Sequence, residues 1–312
     1  NQYVWVPVPD ASKMYGTDSS GKKWGKIYYF IETDPGFDWN YDYDEVTGAC
    51  SMWIERDGIM TMRYGEPAVL VAKYSDAEPA DFNSDFKQYG LGPMSKHEFL
   101  VEMEEDFNKM IESIEKYGGF YMGRYETGNL SQDVAVVQKE NTDINNQTWY
   151  TMYKKCKALK GANKQVETGL MWGNQYYRTL MWLIESGNKT KEEICSDSTS
   201  WGNYNNATFT YVNTSGKTST KNQNSSIIIP TGSADYTKAN NIYDLAGNVS
   251  EWTMLGDSVM RETVGGRYSR RGDEDIVGSY LAGASSDYKH QVRRLPNSTL
   301  YKVILNIGSN KA

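Results

Sequence analysis

Histidine and cysteine are the scarcest chemically active residues of this 312-residue chain, with two His (His97, His290) and three Cys (Cys50, Cys156, Cys195). Two histidines cannot build a three-histidine metal centre, and three cysteines cannot build a four-cysteine zinc site. A metal bound here needs oxygen ligands instead. The odd cysteine count leaves no dense disulfide framework, although one bond beside one free thiol stays open, so cysteine does not decide the compartment. A basic surplus is missing as well. With 33 Lys+Arg against 40 Asp+Glu the net charge is −7, and no general basic field is there to hold a nucleic acid. No apolar run approaches the roughly 18 residues of a membrane span, so no membrane contact is expected of these residues. The opening NQYVWVPVPD is charged and interrupted by proline, unlike a signal peptide. A first residue other than Met is expected of a processed or excised chain, with room for an anchoring segment upstream.

What is present describes a globular protein. Hydrophobic residues make up 39% and charged residues 23%, and 24 Tyr and 9 Trp outnumber 8 Phe. The length suits about two average domains or one large one. Tyr3–Val8 reads as a strand, with Pro7 marking an edge or a strand end. Residues 11–94 are rich in Tyr, Asp and Gly, with short apolar runs at 27–31 and 68–72, and read as a loop-rich insertion. Ser95 and Glu98 form a capping-box pattern, and Phe99, Leu100, Met103, Phe107, Met110, Ile111 and Ile114 follow at helical spacing. Gly118 and Gly119 stop that helix. Its Glu102, Glu104, Glu105 and Asp106 read as a solvated face. Phe120–Thr127 suits a strand, and helices are expected at 149–159 and at 174–185, the latter ended by Gly187. Residues 197–226, rich in Asn, Ser, Thr and Gly, read as a long surface loop. Val303–Ile307 is the last expected strand.

Catalytic constellations are not found in this pattern. His97 sits on the first helix as a polar-face or cap residue, and His290 lies beside Tyr288, Lys289 and Gln291 with no nucleophile motif. Asp273, Glu274 and Asp275 are consecutive, and consecutive carboxylates seldom converge on one bond. The stretch from Arg267 to Tyr301 has a different character. Arg267, Tyr268, Ser269, Arg270, Arg271, Asp273, Tyr280, Asp287, Tyr288, His290, Arg293, Arg294 and Asn297 combine amphipathic aromatic rings with charge-assisted hydrogen-bonding groups, as in binding hot spots and paratopes. An ordinary polar loop would share that composition. The triplet Arg271-Gly272-Asp273 also matches an integrin-binding tripeptide.

The order YVWVPV, GGFYMGRYETG, NIYDLAGNVSEWT, VGGRY and a closing strand resembles the formylglycine-generating-enzyme superfamily. Its most specific element is Tyr243 to Trp252, YDLAGNVSEW, which is similar to the family's Y-D-M-x-G-N-V-x-E-W with Leu245 in place of Met. The resemblance implies an α+β fold of the C-type lectin type with the N- and C-terminal strands paired, so that Tyr3–Val8 lies beside Lys302–Ile307. It also implies one domain over 1–312, a large insertion at 10–116, and a candidate variable region at 264–307. The runs GGFYMGRYETGNLSQ and DSTSWGNYNNATFTY resemble proteins of gut Firmicutes and their prophages that are diversified by retroelements. In that group a mutagenic reverse transcriptase rewrites a C-terminal stretch, chiefly at Asn codons, and the fold displays the product as a binding surface.

By the same resemblance, Asp244 and Glu251 side chains with the Gly247 and Val249 carbonyls match positions that bind Ca²⁺, a hard cation suited to oxygen donors. The alternative is that Asp244 and Glu251 accept hydrogen bonds and hold the same turn without metal. Copper-dependent members use paired cysteines near the C-terminus, whereas the last cysteine here is Cys195. The iron-dependent branch uses three histidines. No copper, iron or enzymatic activity is therefore expected. The expectation is a ligand-binding protein, outside the cell, at its surface or on a phage particle, with a protein or glycan ligand. A divergent oxidase and a structural pilus or phage-tail component are the alternatives.

Overall fold

The computed structural model describes residues 1–17, 21, 23–25, 28–29, 41–44, 49–52, 55–56, 59–60, 96–128, 136–139, 149–159, 166–256, 261–278, 280–282, 299–300 and 303–307. Strand β1 (Tyr3–Pro7) opens the chain. Within the expected insertion, Tyr15–Thr17 pairs with Lys23–Gly25 and Tyr41–Asp44 pairs with Ala49–Met52. Ser95 and the apolar run at 68–72 lie outside the described residues. Helix α1 (Lys96–Tyr117) follows the expected boundaries and buries Phe107, Met110, Ile111 and Ile114. Gly118, at φ +74°, ends it in the left-handed region.

Of the four α1 acids read as a solvated face, Glu102 and Asp106 are held by a neighbouring helix. Lys157, on helix α2 (Trp149–Ala158), pairs with Glu102 and lies 2.6 Å from Asp106 Oδ2, to which the Tyr153 hydroxyl also donates at 2.8 Å. Glu102 and Asp106 stand one turn apart on one face, which lets a single ammonium reach both. Burial first, then Asp106 and Glu102, pushes the Tyr153 phenol upward.

Strand β2 (Gly119–Gly123) runs back from α1 directly along β1. A Cβ at Gly119 would fall 2.4 Å from the Val6 carbonyl oxygen, so the close return needs glycine. Strand β3 (Val166–Leu170) and helix α3 (Gly173–Glu185) follow, and Gly187 at φ +68° ends α3 as expected. The main sheet has the order β1, β2, the last strand, β3, and every pair is antiparallel. The strand order departs from expectation. Tyr121 of β2 pairs with Trp5 on one side and with Leu305 of the final strand on the other, so the terminal strands share a sheet without touching as neighbours. The tight turn at Gly118 and Gly119 delivers β2 to β1 first, and Pro7, with no N–H to donate, suits the edge that β1 occupies.

Residues 197–226 also differ from the long surface loop expected of them. They hold a hairpin of β4 (Phe209–Val212) and β5 (Thr218–Lys221), and bury Trp201, Asn203, Tyr204, Ala207, Phe209 and Lys221. The hairpin turns on Asn213, whose side-chain oxygen accepts from the Ser215 and Lys217 amides, and on Gly216 at φ +76°. Lys221 is buried among the Ala207 carbonyl at 2.8 Å and the Asn205 carbonyl at 3.2 Å, and burial pushes its pKa down to about 8. A second sheet comprises β6 (Ser250–Gly256), β7 (Arg261–Val264), β8 (Tyr280–Ala282) and β9 (Thr299–Leu300), with β9 parallel to β6. The final strand, β10 (Val303–Ile307), returns to the main sheet. Helix and mostly antiparallel sheet thus combine in an α+β arrangement around one core that includes Phe120, Tyr176, Leu180, Trp201 and Leu245. Among the described residues no helix is long and apolar enough to cross a membrane.

Candidate functional site

The segment Tyr243 to Trp252 is buried throughout, and the structure shows why it tolerates that. Asp244, Gly247 and Asn248 all lie at positive φ, +56°, +68° and +56°, which coils the chain into a compact turn with its polar groups facing inward. Buried polar groups must find partners, and here they do so across distant parts of the chain. Asp244 Oδ2 accepts from the Thr231 hydroxyl and the Gly232 amide, each at 2.8 Å, and Oδ1 accepts from the Thr237 hydroxyl at 2.6 Å. Asn248 donates to Glu126 Oε2 at 2.7 Å and accepts from Asn203 at 2.8 Å and from the Ile229 amide at 3.0 Å. The Gly247 amide donates to the Gly265 carbonyl at 2.7 Å, tying this turn to the segment that follows β7.

These contacts bear on calcium. Both oxygens of Asp244 face hydrogens, from two hydroxyls and one amide, and a fixed amide hydrogen occupies space where a cation would have to approach. The residues present fit the hydrogen-bonded turn, with all three donors satisfied by Asp244 and no metal needed to hold it. Glu251 is buried beside the glycine pair, where a Cβ at Gly265 would fall 2.0 Å from its Oε2. Its neighbours are Tyr176 and Tyr204. Burial pushes both phenols up, followed by Glu251 for Tyr176 and by Asp275 and then Glu251 for Tyr204. Among the described residues, no group of three or more His, Cys, Asp and Glu could hold a metal ion.

Beyond Gly266 the chain emerges. Arg267 and Tyr268 are half-buried, while Ser269, Arg270, Arg271, Asp273 and Glu274 are exposed. The backbone beneath them is held at many points. Tyr268 donates its amide to the Asn248 carbonyl at 3.0 Å, the Asn205 amide donates to the Arg270 carbonyl at 2.7 Å, and the Ser198 amide donates to the Gly272 carbonyl at 2.9 Å. The Gly272 amide in turn donates to Asn206 Oδ1 at 3.0 Å. Arg267 Nε lies 3.7 Å from the buried Asp275 carboxylate. The result is a backbone held in place beneath exposed side chains, the arrangement that lowers the entropic cost of binding. Ser269→Ala and Arg270→Ala should each stay within about 0.5 kcal/mol of the parent in urea denaturation. A larger loss at either position would make that side chain part of the frame.

The integrin-type triplet is not presented in this arrangement. Arg271 and Asp273 pair with each other through two contacts, at 3.0 and 2.8 Å, which holds the Asp273 carboxyl below the usual range. Gly272 is buried, and a Cβ there would fall 2.6 Å from the Thr199 amide nitrogen. Of the remaining expected binding residues, Tyr280 lies in β8 opposite Val264. Asp287, Tyr288, His290, Arg293, Arg294 and Asn297 lie outside the described residues. Sequence reasoning did not single out Glu126, Asn203, Thr231 or Thr237 as parts of the turn, since nothing in local spacing joins them to it. Compared with known proteins, the chain matches no family model and no curated sequence.

Proposed function

We propose that this chain is a non-enzymatic ligand-binding protein of the formylglycine-generating-enzyme superfamily, with a C-type-lectin-type fold and a C-terminal surface diversified by a retroelement. Its ligand is a protein or glycan met outside the cell, and it works at a cell surface or on a phage particle. One observation carries the reading: exposed Ser269, Arg270, Arg271 and Asp273 stand on a backbone anchored to a buried polar frame. Side chains on such a loop can change without disturbing the fold beneath. The oxidase alternative gains little support, because Cys156 and Cys195 are both buried free thiols on separate helices, and burial pushes the Cys156 thiol up.

Two measurements test this reading. The wild type and a variant with Tyr268, Arg270, Tyr288 and Arg293 all replaced by Ala would be probed against arrays of purified glycans and extracellular proteins. Wild-type signals should fall at least about tenfold in the variant, the loss of a single strong contact; unchanged signals would reject this surface. Sequencing the DNA around the gene tests diversification separately. An imperfect copy of the 3′ coding end, differing mainly at adenines and adjoining a reverse-transcriptase gene, is the expected result. Its absence removes the retroelement and leaves a binding module.

A further inference from the structure

A different group of charged side chains gathers around the rings of Tyr125 and Tyr243, which stack with centroids 5.4 Å apart. The Arg124 guanidinium lies 5.6 Å from both centroids, and Lys238 Nζ lies 5.8 Å from that of Tyr243. Lys139 approaches from the Tyr125 side: a Cβ at Gly232 would fall 2.4 Å from the Tyr125 ring and 3.1 Å from Lys139 Cγ. The fold sets this corner through the backbone at the end of β2. The Arg124 amide donates to the Gln2 carbonyl at 3.0 Å, and its carbonyl accepts from the Tyr243 amide at 2.9 Å.

Among the described residues, the carboxylates nearby have partners other than Arg124. Asp235 accepts from Lys238 at 3.1 Å and from the Tyr243 hydroxyl at 2.9 Å, with its side chain 81% exposed. Those two hydrogen bonds, Lys238 first, hold its carboxyl below the usual range, and Lys139 adds to the effect. Glu126, two positions beyond Arg124 in the chain, faces inward to Asn248. Among the described residues, Arg124 therefore pairs with no carboxylate and its buried Nε meets no hydrogen-bond acceptor. A cation–π contact engages the ring faces and uses none of the guanidinium N–H donors, and two parallel N–H bonds from a guanidinium suit an oxyanion. A cation without a carboxylate partner among the described residues, in a chain of net charge −7, runs against the average field.

We propose that this corner binds an oxyanion group, with Arg124 as the hydrogen-bonding fork and Lys238 and Lys139 as supporting charge. Planar or tetrahedral oxyanions accept two parallel N–H bonds from such a fork. The anion is either a free ion or the ionised group of a glycan, and the two sources share this chemistry. The test is calorimetric titration of the whole chain with sodium sulfate, sodium phosphate and a sulfated oligosaccharide, at constant ionic strength set with chloride. Saturable sulfate or phosphate binding identifies a free-ion site, and binding of the oligosaccharide alone identifies a carried group. Absence of all three overturns the proposal. Arg124→Gln keeps the backbone hydrogen bonds and should weaken binding about tenfold or more, while Arg124→Lys, which keeps charge but not the fork, recovers only part. If Arg124→Gln does not fold, Lys238→Gln should still weaken binding about threefold through lost charge. Wild-type affinity in folded Arg124→Gln or in Lys238→Gln would also overturn the site.

Discussion

Replacing Asp244 by alanine is expected to destabilise the fold by about 2–5 kcal/mol, and equally with calcium or with chelator present. Two effects add. Asp244 is fully buried at φ +56°, a conformation that costs an alanine about 1–2 kcal/mol. Its carboxylate also serves the Thr231 and Thr237 hydroxyls and the Gly232 amide. The hydroxyls can turn to other acceptors, but the amide cannot, and an unsatisfied buried donor costs about 1–3 kcal/mol. Asp244→Asn keeps an acceptor oxygen and a side chain that tolerates positive φ, so it should lose markedly less. Denaturant unfolding of both variants, with calcium and with chelator, gives the answer. A calcium-dependent gain in wild-type stability that vanishes in Asp244→Asn would return Asp244 to the role of metal ligand.

Gly266→Ala is expected to cost about 3 kcal/mol or more, from the left-handed conformation together with overpacking. Gly266 lies at φ +72°, and an added Cβ would sit 2.3 Å from the Asp275 carbonyl oxygen and 2.6 Å from the Tyr204 hydroxyl. The first contact is with backbone and the second with a fully buried ring, so neither can withdraw by turning a flexible side chain. This glycine also marks the point where the chain passes from the buried frame to the exposed loop. Its substitution should therefore alter the loop as well as stability, and both are readable, by unfolding and by amide exchange at residues 268–275. Exchange unchanged from the wild type would mean that the loop is anchored independently of the glycine pair.

The legible parts of the sequence share a physical trait: their signals are local. The apolar residues of α1 recur every three or four positions, and Gly118 stops the helix, so Lys96–Tyr117 can be read without knowledge of its neighbours. The same holds for α3 and Gly187. The hairpin of β4 and β5 was not legible, because Phe209 and Lys221, its inward residues, are set among Thr and Ser that also suit a loop. Lys221 in particular is a residue that solvent exposure would be expected to claim. It is buried because backbone carbonyls converge on it, and those belong to residues the strand pattern does not connect.

The candidate site divides along the same line. Asp244, Gly247, Asn248 and Glu251 stand out as one compact motif, and residues 267–273 as a segment rich in Arg, Tyr and Ser. By itself, then, the sequence determined helices α1, α2 and α3, an edge or end position for Pro7, a compact polar motif at Tyr243 to Trp252 and the limits that two histidines and three cysteines set on metal chemistry. Only the tertiary structure decided that β2 separates the terminal strands, that Thr231, Gly232 and Thr237 serve Asp244, and that Arg124 rests on two tyrosines without a carboxylate partner among the described residues. Periodicity and turn chemistry act over a few residues, whereas hydrogen-bond satisfaction in this buried site is settled between groups from 7 to 122 positions apart.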